Sequence, residues 1–319
     1  MVLAEFPPAF ALVLAGVLGL LFGSFANVVI YRLPRGENLA YPASHCPACG
    51  APIAPYHNLP LLGFLWLRGK ARCCKAPIPW RYPAVELLGG LWSLAVVRVV
   101  VLDLPADTAL WRAGLVFAAY LTLGLLLLCA IFIDLDHMLL PDALTLGGAA
   151  LGFVSAPLRG QPLLGSGIGA ALGFALVWLL FVEGYRLLRG VPGMGLGDAK
   201  LLALSGAWFG WRGVLFALLA GSVLGTLTAL GVYVARGRLE EPESVQRERQ
   251  ELLEELARLP DEERAELERE LENDPLFLKP GSGLGQARLA FGPFLAVATL
   301  CYVFIGPSLL DELLLVGAQ

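Results

Sequence analysis

The sequence predicts an all-α, polytopic integral membrane protein of about eight transmembrane helices with a small cytoplasmic cysteine-knuckle domain. Three observations carry this prediction. The 319 residues are 57% hydrophobic and only 16% charged, whereas an ordinary globular domain is about 45–50% apolar and about 25% charged. Mean hydropathy is +0.70, so there is too little polar surface to coat a soluble body. The charge is also segregated: Arg236 to Arg288 hold 15 of the 27 acidic and 9 of the 23 basic side chains. What remains is a greasy, slightly basic chain with one acidic insert. Finally, apolar runs near 20 residues recur, long enough as helices to cross roughly 30 Å of hydrocarbon. The same figures exclude disorder, collagen and disulfide scaffolds.

Residues 1–31 form the first transmembrane helix, with its apolar run at Pro8–Tyr31. It lacks a basic leader region and is too long for a cleaved signal peptide. Residues 32–82 form a loop domain. It carries Arg32, Arg35, Arg68, Lys70, Arg72, Lys75 and Arg81 against one acid, Glu37. By the excess of bases on cytoplasmic loops, this segment lies inside. Residues 83–236 are the transmembrane core, with spans at about Tyr82–Leu102, Leu110–Ile133, Pro141–Pro157, Leu164–Leu188, Ala199–Phe209 and Gly213–Ala235. The span at Ala199–Phe209 is short and can form a broken hairpin with its successor. Residues 237–288 are the acidic insert, read as two charged helices. Leu252, Leu256 and Leu259 share one face, and Pro260-Asp261-Glu262-Glu263 starts a second helix with Leu267 and Leu271 in register. It is a solvated spacer or a docking site for a protein partner. Gly281-Ser282-Gly283-Leu284-Gly285 reads as a flexible return linker. Residues 289–319 form the last transmembrane helix.

Cys46-Pro-Ala-Cys49-Gly50 is a metal-knuckle pattern, since a CxxC turn lets two thiolates reach one ion. A second pair, Cys73-Cys74, follows in the same loop. A reducing cytoplasm favours metal over disulfide, so Cys46, Cys49, Cys73 and Cys74 are candidate ligands of a structural Zn²⁺. Adjacent cysteines do not easily ligate one ion from one turn, which makes His45 an alternative ligand. The competing reading is four reduced thiols in a loop packed by Pro and Trp. Cys129 and Cys301 sit alone in apolar spans and read as core residues.

Carboxylates inside spans are costly and mark function by default. Asp134, Asp136 and Asp142 close one span and open the next. Asp198 lies in Gly193-Met194-Gly195-Leu196-Gly197-Asp198-Ala199-Lys200 at the matching membrane face. Two carboxylates brought together can share a proton, one activating water while the other protonates a leaving amine, as in aspartic proteases. Gly195 and Gly197 permit non-helical backbone at membrane depth, which must then line a wet cavity. Lys200 is either an ion-pair partner or a snorkelling base. Two readings compete: the acids are helix caps at the interface, or they line a proton or cation pathway through a transporter. The Gly193-x-Gly195-x-Gly197 run follows no strand and is not a dinucleotide fingerprint.

Five stretches in order now resemble one family. They are Gly23-Ser24-Phe25-Ala26-Asn27-Val28-Val29-Ile30-Tyr31-Arg32-Leu33-Pro34, the Cys46/Cys49 knuckle, Arg81-Tyr82-Pro83-Ala84-Val85-Glu86, the Asp134 segment and the GxGD segment ending at Asp198. The match resumes at Phe291-Gly292-Pro293-Phe294-Leu295-Ala296. The chain resembles the type IV prepilin leader peptidases, the bifunctional prepilin peptidase and N-methyltransferase family. The resemblance implies an inner-membrane aspartic peptidase that cuts prepilin or pseudopilin leaders at the cytoplasmic face, serving type IV pili or type II secretion. It also implies methylation of the new N-terminus with S-adenosylmethionine. By position it makes Asp134 and Asp198 the catalytic pair, with Asp136, Asp142, Gly195, Gly197 and Lys200 supporting, and no metal is required for cleavage. The family's second CxxC departs here: its first cysteine falls at Ala71, Cys74 fits the last position, and Cys73 stands as a replacement. A chain that retained only the peptidase is the alternative enzyme.

Overall fold

The computed structural model describes residues 1–189, 194–237, 243–271 and 290–316. Gly193 and the return linker around Gly283 lie outside them. Among the described residues there is no strand, only isolated bridges. The helices are α1 (Pro8–Arg32), α2 (Arg81–Val96, continued by a π turn over Val97–Val101), α3 (Leu110–His137), α4 (Asp142–Ser155) and α5 (Leu163–Val177, continued to Arg189). There follow α6 (Leu196–Arg236), α7 (Glu243–Arg258), α8 (Asp261–Leu271) and α9 (Gly292–Val316). Five of the described helices are long and apolar enough to cross a membrane: those starting at Pro8, Arg81, Leu110, Leu163 and Leu196. The α4 segment and residues 292–306 of α9 are shorter apolar helices. The chain divides into two compact units, Met1–Ala130 with Pro141–Ile168, and Ile131–Leu140 with Gly169–Gln319.

In the first unit α1 packs along α2 through small residues. A Cβ on Gly19 would stand 2.4 Å from Ser93 Cβ and 2.5 Å from the Gly89 carbonyl oxygen, and one on Gly23 3.0 Å from Glu86 Cα. Such backbone-to-backbone approach is how helices associate where lipid removes the hydrophobic driving force. The Ser93 hydroxyl donates to the Ala15 carbonyl at 2.6 Å, and the Asn27 amide donates to that of Tyr82 at 3.1 Å. These bonds tie α1 to α2 near both of their ends.

The second unit repeats the device. A Cβ on Gly206 of α6 would meet the Gly169 carbonyl oxygen of α5 at 2.0 Å, and one on Gly173 would meet that of Leu202 at 2.4 Å. Gly221 and Gly225 of α6 pack against Leu295, Phe291 and Phe294 at the start of α9. The two expected spans at Ala199–Phe209 and Gly213–Ala235 are one helical run broken at Gly210, which has φ 65° and ψ −162°. The Ser205 hydroxyl donates to the Gly213 carbonyl at 3.2 Å. Eight residues of continuous helix would span about 12 Å, so the chain reverses at Gly210, a backbone conformation that glycine adopts readily.

The insert forms the two expected helices. Leu256 is buried, and Leu252, Leu259, Leu267 and Leu271 are half-buried, while Leu253 is exposed. An Arg264–Glu268 pair at 2.8 Å supports α8.

The glycine contacts give a paired prediction. Gly206→Ala drives a methyl into the Gly169 carbonyl and is expected to destabilise the protein by roughly 1–3 kcal/mol. Gly231→Ala, with nothing within 4 Å of its Cβ, is expected to be neutral or stabilising by up to about 1 kcal/mol. Thermal unfolding of both variants in detergent reads the contrast.

Candidate active site and metal centre

Asp134 lies one turn before the end of α3, and its burial is almost complete at 5% exposed. The helix stops three residues later because Met138 takes a left-handed conformation, φ 50°, with its N–H on the Asp134 carbonyl at 2.9 Å. Leu139 and Leu140 belong to no helix. The Asp134 carboxylate accepts a hydrogen bond from the backbone N–H of Gly292, at the start of α9. That approach needs a glycine: a Cβ there would stand 2.5 Å from Asp134 Oδ2 and 2.9 Å from Leu140 Cδ1.

Asp198 lies in the first turn of α6, half-buried. Gly195 is the N-cap residue, in extended conformation, and its N–H donates to the Asp198 carboxylate. This is the acidic half of a capping box, in which the third helical residue reaches back to the cap. Gly197 seats the turn against Leu140, where a Cβ would stand 3.0 Å from Leu140 Cβ. The structure brings Asp134 and Asp198 together: each held by a glycine N–H, they lie close enough that the charge of Asp198 acts on Asp134. The end of α3 and the starts of α6 and α9 thus meet around Leu140.

The supporting residues divide. Gly195 and Gly197 frame Asp198, and Lys200 is half-buried two residues along α6. Asp136 is half-buried near the end of α3. Asp142 is exposed in the first turn of α4, behind Pro141, where a carboxylate complements the helix dipole. The roles of Gly292 and Leu140 were not legible in the sequence. The Phe291-Gly292-Pro293 stretch was the only signal, and it did not reveal its partner 158 residues upstream.

The four cysteines converge in the loop of the first unit, their sulfurs all within 4.8 Å of one another. Two turns of the same build present them. In the first, the Cys46 N–H bonds the Ala51 carbonyl and the Gly50 N–H bonds that of Cys46; in the second, Ala71 bonds Ala76 and Lys75 bonds Ala71 in the same pattern. Gly50 and Lys75 occupy matching left-handed positions, φ 71° and 61°. Ala71 therefore stands where Cys46 stands, Cys74 where Cys49 stands, and Cys73 supplies the remaining thiol. Adjacency does not keep Cys73 and Cys74 apart from the cluster. His45 is turned to the Ala43 carbonyl, 3.2 Å from its Nδ1, and is not part of the group.

The fit to zinc is metric. Tetrahedral Zn²⁺ with bonds of about 2.3 Å sets its sulfurs about 3.8 Å apart, and the observed separations are 3.3 Å for Cys49–Cys73, 3.7 Å for Cys46–Cys74 and 3.9 Å for Cys73–Cys74. The N–H groups of Ala48 and Cys49 pull the Cys46 thiol down to about 7, while the hydrogen bond between the Cys49 and Cys73 sulfurs, together with desolvation, pushes Cys73 up to about 12. Thiols so crowded do not all ionise without a cation among them. No disulfide links any of the six cysteines.

Comparison with known proteins meets this geometry. Residues 17–100 match the family model described as Bacterial Peptidase A24 N-terminal domain, and residues 121–230 match that of the Type IV leader peptidase family. The chain is 40% identical over 242 residues to a prepilin leader peptidase/N-methyltransferase of Aeromonas hydrophila, covering 68% of this chain and 79% of that protein. It is 40% identical over 256 residues to one of Pseudomonas putida, covering 72% and 83%, and 38% identical over 259 residues to one of Neisseria gonorrhoeae, covering 72% and 85%. No solved structure gives a significant match. With both halves of the membrane body matched in order, and relatives aligned over most of their length, the chain belongs to the type IV leader peptidase family.

Proposed function

We propose that this chain is a prepilin peptidase and N-methyltransferase of the bacterial inner membrane, acting at the cytoplasmic face. The observation that carries the peptidase reading is the convergence of Asp134 and Asp198, each anchored by a glycine N–H at a helix start. Prepilins are the substrates implied by the names of its relatives. A substrate whose leader is basic and whose helix is apolar presents its cleavage site at the inner membrane interface, on the side to which the positive loop 32–81 assigns these acids.

The chemistry follows from the pair. One carboxylate accepts a proton from water as it attacks the scissile carbonyl; the other donates a proton to the leaving amine. The pair titrates as a unit, so the two roles belong to the dyad. The glycine N–H groups orient the carboxylates and leave their remaining oxygen lone pairs to water and substrate. Cleavage needs no metal.

The cysteine cluster holds a structural zinc ion through Cys46, Cys49, Cys73 and Cys74. Bound there, the ion clamps the two turns of the loop together. S-adenosylmethionine is the methyl donor for the new N-terminal amine.

Asp134→Asn and Asp198→Asn are each expected to lower cleavage of a prepilin peptide by about 10²–10⁴-fold; wild-type cleavage in either removes the assignment. Gly292→Ala is expected to lose most cleavage as well, because its methyl meets the Asp134 carboxylate. Metal analysis is expected to find one zinc per wild-type chain and a depleted content in Cys46→Ser. Zinc uptake displaces thiol protons, so affinity is expected to fall as pH falls; a zinc affinity that does not change with pH would contradict thiolate ligation. Transfer of label from S-adenosylmethionine to the cleaved pilin tests methylation, and cleavage without transfer leaves a monofunctional peptidase.

A further inference from the structure

The loop of the first unit carries an apolar face that the protein does not cover. Leu62, Leu65, Trp66 and Trp80 are all exposed, the two tryptophans at 73% and 77%. The first three belong to the short helix Leu62–Trp66, where spacings of three and four residues put them on one side. The opposite side is occupied: Gly63 is buried, and a Cβ there would collide with the His57 carbonyl oxygen. A contiguous exposed patch of this kind marks a contact surface.

Two contacts fix this helix against α2. The Leu61 N–H, just before the helix, donates to the Glu86 carboxylate at 2.8 Å, and the Phe64 ring packs on Trp80 with centroids 4.9 Å apart. The span that α2 opens, Arg81–Val101, has 21 residues, about 31 Å of helix and thus about the thickness of the hydrocarbon. Trp80 stands just outside that span, and Glu86 about 9 Å farther along it. The short helix is therefore held at the depth where headgroups meet hydrocarbon. Trp80 also heads the exposed stripe of α2, followed by Ala84, Leu87, Leu88 and Leu91 at spacings of three and four. It joins the apolar face of the loop to a surface that faces lipid. The neighbouring charges are of one sign. Arg68 and Lys70 are exposed just past Trp66, and a bridge from Lys70 to Pro77 sets them three residues from Trp80. No acid occurs between Glu37 and Glu86.

We propose that this face anchors the cysteine loop to the anionic lipid surface of the cytoplasmic leaflet. Leu62, Leu65, Trp66 and Trp80 lie in the interfacial layer, where amphipathic tryptophan rings are favoured. Arg68 and Lys70 reach the headgroups, their stems lying along apolar surface and their charged ends in water. Each base at an anionic surface raises binding about fivefold. The loop, tied at its two ends by α1 and α2, is thereby also held down between them.

The test uses the full-length protein in mixed vesicles of phosphatidylcholine and phosphatidylglycerol, with a photoreactive group near the headgroup of one lipid or the other. Peptide mapping is expected to find adducts on residues 62–66 and 80 as well as on the α2 stripe. The phosphatidylglycerol probe is expected to label residues 62–70 at least about fivefold more than the phosphatidylcholine probe. Arg68→Gln combined with Lys70→Gln is expected to remove that preference. Leu65→Ser combined with Trp66→Ser is expected to lower labelling of Leu62 about tenfold while labelling of Leu87 stays. All four side chains are exposed, and thermal unfolding reports whether each variant is folded; where one is not, labelling of the wild type decides. An unlabelled loop beside a labelled α2, equal labelling by the two probes, or a preference that survives in the folded basic-residue variant overturns the proposal. Protection of Trp66 from a water-soluble reagent that persists in detergent and follows protein concentration assigns the face to a second copy of the chain, and overturns it as well.

Discussion

A carboxylate at membrane depth must find hydrogen-bond donors in the protein, and a helix offers free backbone N–H groups only in its first turn. The arrangement of the second unit follows from this constraint. Asp198 takes its donor from Gly195, at the start of its own helix, and Asp134 takes one from Gly292, at the start of another. Both donors are glycines, and at Gly292 the reason is steric: a Cβ there would displace the carboxylate it serves. The acids therefore sit where helices begin and end. The left-handed Met138, which stops α3 within a turn of Asp134, belongs to the same design.

Glycine carries a second burden in the helix contacts. In each unit, pairs of glycines four residues apart let helices touch backbone to backbone: Gly19 and Gly23 in the first, and Gly169 and Gly173 in the second. Dispersion and close packing hold such contacts in lipid, where apolar burial distinguishes little between protein and solvent. The large number of glycines in this chain, 37, is thus compatible with rigid packing. Gly210 is different in kind, since its conformation rather than its size is what the fold uses.

Much of the fold was legible in the sequence because a membrane enforces length and apolarity together. The class, the long spans and the two insert helices with their leucine faces all follow from periodicity and run length. The break between Phe209 and Gly213 was visible only as a gap, since one glycine among many does not announce a reversal. At the site, Asp134, Asp198 and the glycines beside Asp198 were legible as charges and turn residues in an apolar setting. Gly292 was not, because its importance is a contact with a residue far away in sequence. The cysteine loop shows a further limit. Spacing alone counted Cys73–Cys74 as a poor knuckle, but backbone hydrogen bonds set Ala71 at the vacant corner and turn Cys73 into the group. Side-chain direction in a tight turn depends on φ at Lys75, which residue spacing does not encode.

The packing of Gly221 and Gly225 against Phe291, Phe294 and Leu295 also bears on how this protein can vary over evolutionary time. From Gly225 to Arg236 is about 16 Å of helix, so the end of α6 and the start of α9 lie within reach of a short connection. The acidic segment in between is topologically a detour. Closing a loop of about 55 residues instead of about 10 costs only about 1.5 kcal/mol more in chain entropy. Its two helices carry their own leucine face and ion pairs. A lineage can lengthen, shorten or exchange such a segment while the aspartates and their glycine donors stay where they are.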